Sequence, residues 1–169
     1  MTGSANGSPA PVLVLGLGNL LLGDDGVGLR LLDTLAAESG YGDAVDFVDG
    51  GTQGLALLGY LADREAVLVL DAITRGDPPG RVHVLRGVED FRARRAGSAH
   101  ESSALELFET ARILGNSWRD VVLVGIEPKN LRTGMELSAE VEASISAACG
   151  HARAALREMV ESYVPSNSR

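Results

Sequence analysis

Unbroken apolar runs alternate along this chain with stretches in which apolar residues recur every three or four positions. Residues 11–18 (PVLVLGLG) form one such run, stopped by glycine, and residues 66–72 (AVLVLDA) and 120–126 (DVVLVGI) repeat the pattern. A short run without polar alternation predicts a strand covered on both faces. Between them, Val27, Leu31, Leu32, Leu35 and Ala36 keep helical spacing in a stretch opened by Asp24 or Asp25, and Leu55, Leu58 and Leu61 suggest a short helix. A further strand is expected over 44–48, leading into the turn Asp49, Gly50, Gly51. Residues 74–80 read as a turn, and 81–85 (RVHVL) alternate with period two, which suits an edge strand with one wet face and makes His83 a solvent-facing residue. Residues 87–101 show no pattern. Ser102 or Ser103 can then cap a helix carrying Leu105, Phe108, Ile113 and Leu114. The last helix starts after Ser138 and carries Val141, Ile145, Cys149, Ala152, Leu156 and Tyr163 on one face, with Pro165 to stop it. Strands alternating with helices predict an α/β fold: a three-layer sandwich in which a twisted, mostly parallel sheet of about five strands is flanked by helices.

With 169 residues, 45% of them apolar and 22% charged, the chain can bury a core without disulfides or a structural metal. One domain is expected over 11–164, between a flexible tail at 1–10 and another at 165–169. The net charge of −8 argues against nucleic acid, because neutralising phosphates needs a basic face. The short cluster Arg92, Arg94, Arg95 reads as a solvated loop. A lone cysteine, Cys149, fits a small buried hydrophobe and a reducing compartment. The first residues lack the cationic start and long apolar stretch of a signal peptide or membrane span, so a cytoplasmic protein with no membrane association is expected.

The glycine-rich run GLGNLLLGDDGVG invites a dinucleotide reading. Counting from Gly16, however, the third glycine of that fingerprint is replaced by Leu21, and two acids sit where a phosphate would approach the helix. Either Asp24 or Asp25 can cap the helix, a contribution of about 1 kcal/mol, which leaves the other spare. Asp49 is, on sequence alone, a turn residue. Asp71 directly follows four apolar residues, where a lone carboxylate is costly and needs a partner or an ion. His100 lies in the loop GSAHESS, and His151 reads as structural within the last helix. No nucleophile elbow occurs, so serine catalysis lacks support. What remains is metal or acid–base work by Asp25, Asp71 and His100, a mixed oxygen and nitrogen set that suits nickel or zinc.

The ordered series GLGNLLLGDDGVG, DGGTQGLALL, LVLDAI, SAHESS and LVGIEP resembles the nickel-iron hydrogenase maturation endopeptidases from about residue 12 to residue 160. The resemblance implies a protease that removes a C-terminal extension from the hydrogenase large-subunit precursor after nickel has been inserted. It places the metal-contacting and catalytic positions at Asp25, Asp71 and His100, and substrate recognition at Asp49, Gly50, Gly51 and Thr52. Nickel would then be supplied by the nickel-loaded precursor, with no organic cofactor. Two alternatives remain at this stage: a zinc-dependent peptidase or amidase of the same fold, and a non-catalytic, nickel-dependent binding module for the large subunit.

Overall fold

The computed structural model describes residues 8–38, 40–92 and 103–163. Five strands form one sheet: β1 (Val12–Leu17), β2 (Val45–Gly51), β3 (Ala66–Ala72), β4 (Val82–Arg86) and β5 (Asp120–Ile126). Their order is β2-β1-β3-β5-β4, with β4 antiparallel to β5 and every other pairing parallel. The alternating segment 81–85 does form an edge strand, whereas the unbroken apolar runs form the three central strands. β2 runs three residues beyond the expected Val48 and takes Asp49, Gly50 and Gly51 into the ladder.

Alternate residues of the central strands feed two cores, as the period of a strand requires. On one face, Val12, Val14, Leu68, Leu70, Val122 and Val124 pack under α1 (Val27–Ala36) and α5 (Ala139–Tyr163). On the other, Leu13, Leu15, Val67, Val69, Val121 and Leu123 pack under α2 (Leu58–Leu61), α3 (Val88–Arg92) and α4 (Ser103–Ile113). The result is the expected three-layer sandwich. Cys149 is buried on the helical face that includes Ala148, Ala152, Leu156 and Met159.

Several local expectations change. Helix α3 occupies part of the region without a pattern. In α4 the buried face is Ala104, Leu105, Leu107, Phe108 and Ala111, while Ile113 and Leu114 are exposed at its end. The turn before α2 buries Leu57 and α2 itself buries Leu61, four residues on, while Leu55 is left exposed. Among the described residues no helix is long and apolar enough to cross a membrane.

Helix α1 lies unusually close to the sheet. A Cβ on Gly28 would come within 2.2 Å of the Leu17 carbonyl oxygen and 2.4 Å of the Leu70 carbonyl oxygen. Only glycine therefore lets α1 cross β1 and β3 at their carboxyl ends, a role for which the dinucleotide fingerprint would have used position 21.

Candidate active site

The strand order places the chain's reversal between β1 and β3. From β1 the chain goes outward to β2, then returns to β3 on the other side of β1. Loops leaving the carboxyl ends of such a strand pair diverge and open a crevice, the usual ligand position in an open α/β sheet. The Asp24 and Asp25 loop follows β1, and Asp71 stands one residue before the end of β3.

The two adjacent aspartates have separate tasks. Both lie in a 3-10 turn, Gly23–Gly26, and neither caps α1 with its side chain. The Asp24 carboxylate is fully buried and accepts four hydrogen bonds. They come from the backbone N–H groups of Lys129 at 2.9 Å, Asn130 at 2.9 Å and Ser138 at 2.6 Å, and from the Ser138 hydroxyl at 2.9 Å. Burial alone would raise its pKa, but the bonds from Ser138, Asn130 and Lys129 prevail and hold it below the ordinary 3.8. Asp24 thus clasps the segment between β5 and α5 against the first loop, replacing the cap expected from sequence. The same two segments exchange backbone bonds from Gly23 to Gly134 and from Gly134 to Leu21.

Asp25 is half-buried, and its Oδ2 accepts the Asn19 N–H at 2.8 Å, which fixes the carboxylate at the crevice. A Cβ on Gly18, whose φ is +125°, would fall 1.9 Å from the Asp25 carbonyl oxygen, so the turn that presents Asp25 also depends on a glycine. Asp71 is 5% exposed and accepts only its neighbour's N–H, from Ala72 at 2.8 Å, among the bonds of the described residues. Its pKa is raised to about 7, chiefly by burial and further by the charge of Asp25, against the smaller opposing effect of the Ala72 bond. The Asp71 carboxyl on β3 is thus exposed to the charge of Asp25 in the 3-10 turn after β1. A carboxyl in that state exchanges a proton near neutral pH or accepts a cation.

The Asp49–Thr52 segment lies at the same end of the sheet, one strand further out. Asp49 pairs with Gly16, the Gly18 N–H donates to the Gly51 carbonyl at 3.1 Å, and Asp49 and Thr52 are exposed. His100 lies outside the described residues. His151 is exposed on α5, away from the buried face of that helix.

Sequence reasoning missed a third buried acid. Glu127, 3% exposed, directly follows β5, and its carboxylate accepts the N–H groups of Arg75 and Gly76. The signal was present in LVGIEP, an acid after an apolar strand, as for Asp71. His83 is not solvent-facing either: its side chain is 10% exposed and its Nε2 lies 3.3 Å from Glu127 Oε2.

Residues 29–155 match the family model described as hydrogenase maturation protease. The chain belongs to that family. Hydrogenase 2 maturation protease of Escherichia coli (strain K12) is 34% identical over 157 residues, covering 91% of this chain and 95% of its own. The hydrogenase expression/formation protein HupM of Azotobacter chroococcum mcd 1 is 34% identical over 155 residues, covering 90% of this chain and 74% of its own. Among solved structures, the hydrogenase maturating endopeptidase HybD from E. coli superimposes with a TM-score of 0.78 at 34% identity, covering 87% of this chain and 92% of its own. The hydrogenase 2 maturation peptidase from Thaumarchaeota archaeon SCGC_AB-539-E09 gives a TM-score of 0.66 at 37% identity, covering 86% of this chain and 97% of its own. This protein is thus an endopeptidase of the hydrogenase maturation class, and its five-stranded α/β sandwich is the family's fold.

Proposed function

We propose that residues 11–164 act as one cytoplasmic peptidase domain that removes the C-terminal extension of a nickel-iron hydrogenase large-subunit precursor once nickel is in place. Asp25, Asp71 and His100 contact the nickel carried by that precursor, and Asp49, Gly50, Gly51 and Thr52 recognise the chain around it. The nickel is part of the substrate, and no organic cofactor takes part.

The observation that carries this reading is the state of Asp71. Its buried carboxyl, raised to about 7 beside Asp25, is the partner a divalent ion would favour, because the ion offsets the repulsion that burial intensifies. Docking of nickel-loaded precursor would ionise Asp71 and release a proton. A carboxylate oxygen left free of the ion suits removal of a proton from the water that attacks the scissile carbonyl, with the proton passing to the departing amine. A surface for the partner adjoins the site. Leu20, Leu21, Leu131 and Met135 are exposed on the two segments joined by the Leu22–Gly134 bridge, and clustered apolar exposure of this kind marks partner contacts.

The test is a mass measurement on purified large-subunit precursor incubated with the protein, with and without nickel loading. Shortening of the nickel-loaded form alone is expected. Cleavage of nickel-free precursor on addition of zinc would favour a zinc peptidase, and a stable complex without mass loss would make the protein a binding module.

A further inference from the structure

Asp71, Gly125 and His83 occupy one row across β3, β5 and β4, so the side chains of Asp71 and His83 share a face of the sheet. The Ile73 side chain fills the space over Gly125, where an added Cβ would meet its Cδ1 at 2.1 Å, and so separates the Asp71 crevice from a second polar centre. That centre consists of Asp77 from the loop after β3, His83 from β4 and Glu127 after β5. One ligand-type atom from each lies within 4.8 Å of the other two.

We infer that Asp77, His83 and Glu127 form a binding site for a divalent transition ion of zinc-like chemistry, distinct from the Asp25 and Asp71 crevice. The spacing is that of ligands around a shared centre. His83 Nε2 is 3.3 Å from Glu127 Oε2 and 3.8 Å from Asp77 Oδ2. The His83–Glu127 contact is a long hydrogen bond, outside the about 2.7–2.9 Å of a charge-assisted one, and the Asp77 contact is longer still. Four ligands held tetrahedrally at about 2.0–2.2 Å stand about 3.3–3.6 Å apart, a range that contains the Glu127 contact and that the Asp77 contact would enter by a small movement of its loop. The ligand set of one imidazole and two carboxylates suits zinc and leaves a fourth position for water.

The surroundings supply the support such ligands need. The Arg75 and Gly76 N–H groups orient the Glu127 carboxylate at 2.9–3.1 Å: Oε1 accepts from both, while Oε2 accepts from Arg75 and keeps its other lone pair toward His83. The Glu127 backbone is pinned between the Arg81 carbonyl and the Gly80 N–H. Glu127 and His83 are nine-tenths buried, whereas Asp77, 29% exposed, provides the open side through which an ion enters. An ion here would tie the loop that follows β3 to edge strand β4 and to the end of β5.

The experiment uses the full chain carrying Asp25→Asn and Asp71→Asn, so that the crevice is silenced, and titrates zinc chloride by calorimetry. Binding of a single ion is expected, with the X-ray absorption signature of one imidazole among oxygen ligands. Adding His83→Gln should weaken binding by more than about tenfold, as loss of one of three protein ligands requires. Asp77→Asn, in a half-exposed loop, should do the same while circular dichroism remains unchanged. Absence of zinc binding in the silenced background, or equal affinity in a folded Asp77→Asn variant, would overturn the inference. Because no precursor is involved, either result is independent of whether the protein cleaves nickel-loaded substrate.

Discussion

Replacing Asp71 by Asn should make the protein more stable above neutral pH while abolishing its activity. The amide keeps the shape of the carboxyl group and can still accept the Ala72 N–H, but it cannot ionise. A raised carboxyl pKa means that, between about pH 4 and pH 7, the folded state holds a proton that the unfolded chain has already released. Stability therefore falls as pH rises through that window and levels off above it. Moving the group from its ordinary 3.8 to about 7 corresponds, at about 1.4 kcal/mol for each step of one pH unit, to about 4 kcal/mol at most. The assay is urea unfolding of both proteins, with chelator present, at fixed ionic strength from pH 4 to pH 8.5. Groups remote from Asp71 titrate alike in the pair, so the difference in unfolding free energy reports position 71 together with its coupling to Asp25. It should be small at pH 4 and widen in favour of Asn by several kcal/mol by pH 8. A difference that stays constant with pH, or that widens toward acid, would refute the assignment of Asp71 as a destabilising buried acid.

Asp24→Asn should have the opposite character. Its amide nitrogen would face N–H and hydroxyl donors that now meet a carboxylate oxygen, so a loss of about 2–4 kcal/mol is expected in urea unfolding at pH 7, more than the loss of a helix cap. Since the Asp24 pKa is depressed, its contribution is present above about pH 4 and disappears as pH falls through the lower folded value, so the two proteins should converge in acid. Gly28→Ala should cost about 3 kcal/mol or more, because the added methyl meets two backbone carbonyls that cannot both retreat, and thermal unfolding would register the loss.

The layers of this fold were legible because apolar runs and helical periods are local signals. Residues 66–72 and 120–126 announced central strands, and the alternation of 81–85 announced an edge. The separate duties of Asp24 and Asp25 were not legible in the local pattern, since both follow the same apolar loop, and only the family resemblance singled out Asp25. Only the return of residues 129–138, more than a hundred positions later, shows which of them is consumed in holding the turn. His83 was misread for a related reason. Period-two alternation reveals that a face is different, but not that a loop carrying Asp77 and a strand end carrying Glu127 cover it. Asp71 was legible as an anomaly, a charge at the end of a buried strand, and its partner Asp25 was brought close by the sheet order.

The reversal of strand order between β1 and β3 also governs when the proposed site is assembled. Asp25 and Asp71 meet only after strands more than fifty residues apart have paired, Val12 with Ala66 through Gly16 with Leu70. A slip of one residue in that ladder would turn Asp71 toward α1, on the opposite face of the sheet. If these two carboxylates do the cutting, as proposed above, the partly folded chain is inert, and during synthesis no segment of it cuts a neighbouring polypeptide before the central strands have found their register.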